Sequence, residues 1–386
     1  MTTRLDLNPG SEVAEEMRLF QGCPTILCTP RGRLFAGWIS GGTMEPSLDN
    51  YNLLVRSDDG GKTWSTPLLA ARSIREEQIM ATDIQLWLDP SNRMVLNWVQ
   101  RDFKRPKPDP LHLSLYSIVC DDPDADELKW SDPELAGNGY LRCQPTLLSD
   151  GRIIRCDYDW IGENYHYSES SDGGKTWVRR RAGKKLPTAF DESMVLERKD
   201  GTLSLFARYA PFIAQCDSAD GGKTWSETKS SGIRSPSSRF FIKRLRSGRI
   251  LLVTNDDPSQ RTNMTAFLSE DDGKTFPFSI LLDDRKNISY PDAAEMPDGS
   301  VMIVYDRGRD LPGQKEILSA RLTQEEIKAG KLSAPGSWLR GIISKAPEKP
   351  FCGGERYQEM FAADRQFKTE VGRWHQGLPM KEETAL

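Results

Sequence analysis

The sequence predicts an all-β fold, a six-bladed β-propeller of four-stranded antiparallel blades. Three observations point there: a short box that recurs four times, a hairpin pattern that recurs six times, and a near-absence of helix signals. The box reads SDDGGKTW at Ser57 to Trp64, SSDGGKTW at Ser170 to Trp177, SADGGKTW at Ser218 to Trp225 and SEDDGKTF at Ser269 to Phe276. Its frame is S-x-D-x-G-x-T-W/F. The Asp can cap a tight turn through backbone N–H groups, and the Gly permits a positive φ. Ser and Thr satisfy the remaining turn polars, and the aromatic ring plugs the gap between neighbouring sheets.

The hairpins are two short β runs about a Gly- or Asn-containing turn. They begin at Cys23, Thr82, Cys143, Asp191, Ser237 and Tyr290. That spacing, about fifty residues, is the length of a four-stranded blade. The boxes at Ser57 and Ser170 lie about two such periods apart, so CDDPDADELKWSDP from Cys120 reads as a degenerate box in blade 2. The clearest helix signal is TQEEIKAGK, with Thr323 as N-cap and acids in the first turn. Residues 1–19 read as a lead-in, 20–345 as the propeller, and 346–386 as a Pro-, Gly- and charge-rich tail that wraps or hangs free.

Composition excludes several function classes. A net charge of −4 provides no basic field for nucleic acid or an acidic membrane. Seven cysteines form no CxxC pair, so neither a disulfide frame nor a zinc site is indicated; buried thiols in a reducing compartment are the expectation. MTTRLDLNPGSEVAEEMRLF lacks an apolar leader core, which points to a cytoplasmic protein; a secreted or periplasmic one would need a leader removed. The sequence carries no phosphate loop, GxSxG elbow, HExxH or EF-hand loop, and no cofactor is expected. Oligomeric state is left open.

In a propeller the innermost strands start at the mouth, so the first residues of all six hairpins converge. Here they are Gln21, Asp83, Gln144, Asp191, Glu192, Arg239, Tyr290 and Asp292. Second strands return to the same face with Trp38, Arg101, Asp159, Arg208, Asn255 and Arg307. Polar residues clustered at strand starts indicate a binding site; their structural alternative is a set of ion pairs bracing the axis. His166 is a candidate base for a lyase, and Trp38, Trp98 and Trp160 are candidates to stack on a sugar.

Boxes and hairpins together resemble the sialidase (neuraminidase) superfamily over roughly residues 20–325. The resemblance implies an arginine clamp for a substrate carboxylate, a Tyr nucleophile paired with a Glu, and an Asp acid/base. SYPDAAEMPDGSVMIVYDRG is similar to the nucleophile segment and points to Tyr290; FDESMVLERKDGTLSLFAR points to Glu192 and Arg208; QRTNMTAFLSEDDGKT points to Arg261. Asp49 lies about where the acid/base is expected, with Asp83 as a second choice. One departure stands out: the family's first-strand Arg-Ile-Pro is Gly22-Cys23-Pro24 here, so the first clamp arginine is missing, and Arg239 or Arg142 is a candidate replacement. The implied function is an exo-glycosidase releasing a terminal acidic sugar. The alternatives are a glycosidase or lyase acting on a uronic-acid-type sugar, and a non-catalytic sugar-binding propeller.

Overall fold

The computed structural model describes residues 3–105, 107, 109–160, 162–188, 190–309, 315–378 and 380. Its six blades follow one another along the chain, and every strand pairing is antiparallel. Blade 1 runs Phe20–Cys28, Leu34–Gly41, Asn50–Ser57 and Leu69–Arg72 from inside to outside. The lead-in is part of this sheet: Arg4–Leu7 pairs with Leu69–Arg72 as a fifth, outermost strand. Blades 2, 4, 5 and 6 start with Ile79–Leu88, Ser193–Glu197, Phe241–Arg244 and Ile288–Glu295. Blade 3 is broken near the mouth into a two-stranded piece, Tyr140–Leu141 with Asp157–Tyr158, and a four-stranded remainder.

All four boxes fold alike, in the turn between the third and fourth strands of blades 1, 3, 4 and 5. In blade 1, Asp59 accepts hydrogen bonds from the Lys62 and Thr63 amides at 3.0 and 2.9 Å and from the Thr63 hydroxyl at 2.6 Å. The Ser57 hydroxyl donates to Asp59 at 2.8 Å and accepts from the Gly61 amide at 2.9 Å. Gly61 stands at φ 92°, where a side chain would be strained. The aromatic closes the gap to the preceding blade: Trp225 meets Tyr167 of blade 3 edge-on at 5.9 Å. Blade 2 has a reduced turn, in which Asp122 accepts from the Asp124 amide, and Trp130 bridges back to Cys120. In blade 6 the same place is taken by helix α1 (Gln324–Ala329), opened by a reciprocal capping box between Thr323 and Glu326.

The axis is filled by polar bonds between blades. Asp292 of blade 6 accepts from Thr25 Oγ1 at 2.7 Å, the Ile26 amide at 3.1 Å and Gln85 at 3.3 Å, and pairs with Arg239 at 3.3 Å. Gln144 donates to the Ile26 and Ala293 carbonyls. Blades 1, 2, 3, 5 and 6 thereby join one another through polar groups at the axis.

The tail is largely ordered. Helix α2 (Gly354–His375) lies on the mouth side of blades 1–3. Asp364 accepts from the Thr43 amide and hydroxyl at 2.8 and 2.7 Å. Phe367 and Trp374 pack on Phe103, and the Trp374 indole donates to the Arg105 carbonyl at 3.0 Å.

Candidate functional site

Three inner strands carry the same local defect. In blades 1, 2 and 6 the pairing with the second strand slips by one residue, between Gly22 and Thr25, Thr82 and Gln85, and Ser289 and Asp292. At each slip one non-glycine residue stands in the left-handed region: Cys23 at φ 59°, Asp83 at φ 55° and Tyr290 at φ 55°. A bulge with such a residue re-aims its side chain, here toward the mouth rather than the sheet face. Asp306 fixes two bulges at once, accepting from the Cys23 amide at 2.7 Å and from Ser289 Oγ at 2.6 Å.

The mouth holds a cavity of about 300 Å³. On its floor the Tyr290 hydroxyl donates to Glu192 Oε1 at 2.8 Å, and Arg208 Nη1 touches Tyr290 Oη at 3.1 Å and both Glu192 oxygens at 2.9 Å. All three residues are at most 5% exposed. Burial opposes the charge of Glu192, but Arg208 and the bonds from Tyr290 and Arg208 outweigh it and hold the carboxyl below its usual range. Burial, then the Glu192 charge, pushes the Tyr290 phenol up to about 12. The resting pair is thus a neutral phenol against a carboxylate.

Four guanidiniums surround that phenol. The Cζ atoms of Arg309, Arg142 and Arg261 lie 4.2, 5.4 and 5.6 Å from the Tyr290 ring centroid, and Arg208 sits at its hydroxyl. Arg142 is bonded to two carboxylates, Asp83 directly and Glu45 at 3.1 Å, with Arg101 at 3.7 Å from Glu45. Burial, reinforced by Glu45, pushes Asp83 up to about 6 despite Arg142. Glu45 carries the charge of the pair, held by Arg142, Arg309 and Arg101 against its own burial. The opposite wall is aromatic: Tyr140, Tyr158, Trp160 and Phe190, closed by His375 of α2, whose ring is 4.4 Å from that of Trp160.

Tyr290, Glu192, Asp83, Arg208 and Arg261 therefore line one cavity. Arg142, a candidate replacement for the missing clamp arginine, and Arg101 line it too, whereas Asp49, Arg239, Asp292, Gln21, Arg307, Trp38 and Asp191 lie outside that lining. Asp49 is 42% exposed and paired with Arg75 at 2.8 Å, in a groove beside α2; Glu45, from the same loop, takes the place at the mouth. Arg239 and Asp292 are each other's axial partners, below the floor. Gln21 donates to the Lys315 carbonyl at 2.7 Å and braces blade 1 against blade 6. Arg307 turns outward to Glu316 at 3.0 Å, and Trp38 is core, with Arg18 over its ring. Asp191 points away from its neighbour Glu192 to an ion pair with Lys185. His166 lies in a blade 3 strand outside the lining, while Trp160 is in it.

The gap at Gly22 is filled from the next blade. A Cβ at Gly22 would stand 2.9 Å from Arg309 Cδ and 3.1 Å from Arg309 Cβ. Gly22 thus leaves the space through which Arg309 reaches the phenol. The signal was present in the sequence, two residues beyond Arg307, but only the ring closure of blade 6 on blade 1 brings the two together.

An Asp-box propeller with one polar cavity at its mouth is the class that fold and site define. Residues 32–303 match the BNR repeat-like domain, and the chain belongs to that family. The anhydrosialidase of Macrobdella decora is 25% identical over 217 residues, 48% of this chain and 28% of that protein, so the chain spans well under half of this relative's length. Among solved structures, the intramolecular trans-sialidase of Ruminococcus gnavus aligns over 85% of this chain and 99% of its own, with TM-score 0.67 and 17% identity. The NanB sialidase of Streptococcus pneumoniae aligns over 79% of this chain and 67% of its own, with TM-score 0.62 and 16% identity. A Dyadobacter fermentans protein of unknown function aligns over 83% and 98%, with TM-score 0.61 and 19% identity. These structures share the propeller.

Proposed function

We propose that the protein is a sialidase-type glycosidase that releases one terminal acidic sugar. The observation that carries the reading is the Tyr290–Glu192–Arg208 triad, with a neutral phenol bonded to a carboxylate beneath a ring of guanidiniums. Arg208, Arg261 and Arg309 offer forked donors to the sugar's carboxylate. Tyr290 Oη attacks the anomeric carbon as its proton passes to Glu192; a neutral nucleophile approaches an anionic sugar without charge repulsion. Asp83, protonated in mildly acidic solution, donates its proton to the leaving oxygen, then withdraws one from the water that cleaves the tyrosyl intermediate. Glu45 keeps that proton on Asp83 by placing a second negative charge beside it, against the pull of Arg142.

Release of the aglycone from a fluorogenic sialoside tests the reading. The wild-type protein should turn it over and Tyr290→Phe should lose at least about 1,000-fold in kcat. Turnover only of a uronic-acid glycoside would move the substrate, and an unsaturated product absorbing in the near ultraviolet would replace hydrolysis by elimination. Binding of acidic sugars with no turnover would make the protein a lectin-like propeller.

A further inference from the structure

Helix α2 is outside the propeller, yet it forms a wall of the cavity. Lys368, Val371, Gly372 and His375 line it, at the i, i+3, i+4, i+7 spacing that places them on one helix face. The adjoining face is docked through Asp364 on Thr43, Phe367 and Trp374 on Phe103, and Trp374 on the Arg105 carbonyl. The wall is therefore fixed by buried contacts along the helix.

Gly372 is the telling position. A glycine inside a helix is less favourable than alanine, because it loses more backbone freedom on folding. Close packing is the usual structural reason to keep one. Here a Cβ at Gly372 meets no heavy atom within 4 Å, so nothing in the protein requires its absence. The position is exposed, and the open space beside it belongs to the cavity that it lines.

Resting on the glycosidase reading above, we infer that α2 is the size-selecting wall of the substrate site, and that Gly372 is bare so that the bound sugar or its leaving group can occupy the volume beside His375 and Trp160. The position of the wall gives it a direction. Lys368 acts electrostatically on Glu45, which shares Arg142 with the proton donor Asp83, so α2 stands on the side where the leaving group departs. It selects against bulky or branched leaving groups and keeps the enzyme to terminal sugars on short chains.

The test uses the full-length protein and two glycosides of one acidic sugar, a small fluorogenic aryl glycoside and a branched oligosaccharide. Gly372→Phe should raise KM at least 10-fold on both, while Val371→Ala should raise kcat/KM on the oligosaccharide relative to the aryl glycoside at least 3-fold. Melting temperatures should show that the site and not the fold has changed: Gly372→Ala should melt no lower than wild type, and Gly372→Phe close to it. Unchanged KM in Gly372→Phe, with an unchanged substrate ratio in Val371→Ala, would overturn the inference while leaving the glycosidase reading intact. Should the wild type turn over neither substrate, the glycosidase reading fails, and calorimetry with the free acidic monosaccharide decides the wall: weaker binding to Gly372→Phe than to wild type supports it, and equal binding overturns it.

Discussion

Blades 1, 2 and 6 differ from blades 4 and 5 in how they reach the mouth. The first three bulge by one residue at the start of the inner strand and push Cys23, Asp83 and Tyr290 inward at positive φ. Blades 4 and 5 pair in unbroken register between their first and second strands and contribute through chain just outside the ladder. Glu192 immediately precedes Ser193–Glu197 and Arg208 follows Leu203–Ala207, joined by a bond from the Arg208 amide to the Glu192 carbonyl at 2.8 Å. In the proposed mechanism the bulged half thus supplies the nucleophile and the proton donor from strained backbone, and the regular half supplies the groups that hold the nucleophile in place. Chemistry here is concentrated where the sheet departs from regularity.

The division can be broken at its centre. Asp83→Asn keeps a side chain that tolerates the left-handed backbone but carries no transferable proton. Hydrolysis should fall by about 100- to 10,000-fold. In the wild type, kcat should decline as pH rises through about 6, where Asp83 deprotonates. That limb should vanish in the variant, and steady-state profiles from pH 4 to 9 check it. Next in size, Arg309→Met removes the guanidinium that passes over Gly22 and should raise KM for an acidic substrate by about 10- to 100-fold, with kcat less affected. A neutral-sugar glycoside should be indifferent to it.

Strain is the third lever. Cys23→Val places a β-branched residue at φ 59° and should cost about 1–3 kcal/mol in urea unfolding, whereas Cys23→Gly, which relieves the backbone, should cost less. The smallest effect belongs to the aromatic wall. Burial, then Arg101, Lys107 and His112, pushes His375 down to about 2, so the folded protein binds it neutral. Its contribution to docking α2 is complete above the unfolded value near 6.5 and is lost as pH falls below that. Protection factors of α2 amides, corrected for the pH dependence of intrinsic exchange, should fall between pH 7.5 and 5 in the wild type, and less so in His375→Phe.

The fold was legible because boxes and hairpins repeat, and repetition turns weak local signals into a strong one. Tyr290 and Glu192 were legible at the starts of their hairpins and Arg208 at the end of a second strand, the two places that the repeat brings to the mouth. Asp49 and Glu45 show where the sequence stops informing: one loop carries both carboxylates, and only its folded path decides that Glu45 meets Arg142 while Asp49 meets Arg75. Arg239, Asp292 and Gln21 were expected among the substrate-binding groups and lie outside the cavity lining, because depth along the axis, which separates a brace from a ligand group, has no one-dimensional trace. His375 and Gly372 come from a tail with no repeat to register it, and Arg309 reaches the site across the junction of the first and last blades.

That junction has a mechanical consequence. Among the described residues no strand is shared between blades 6 and 1; the ring is pinned there by Gln21 on the Lys315 carbonyl, the Cys23 amide on Asp306, Thr25 on Asp292 and Arg18 on Ser344. Arg309 crosses the same line and Tyr290 stands beside it. A small parting of these two blades would disassemble the nucleophile's surroundings while all six blades stayed whole, so inactivation by heat or denaturant should precede the loss of β-structure.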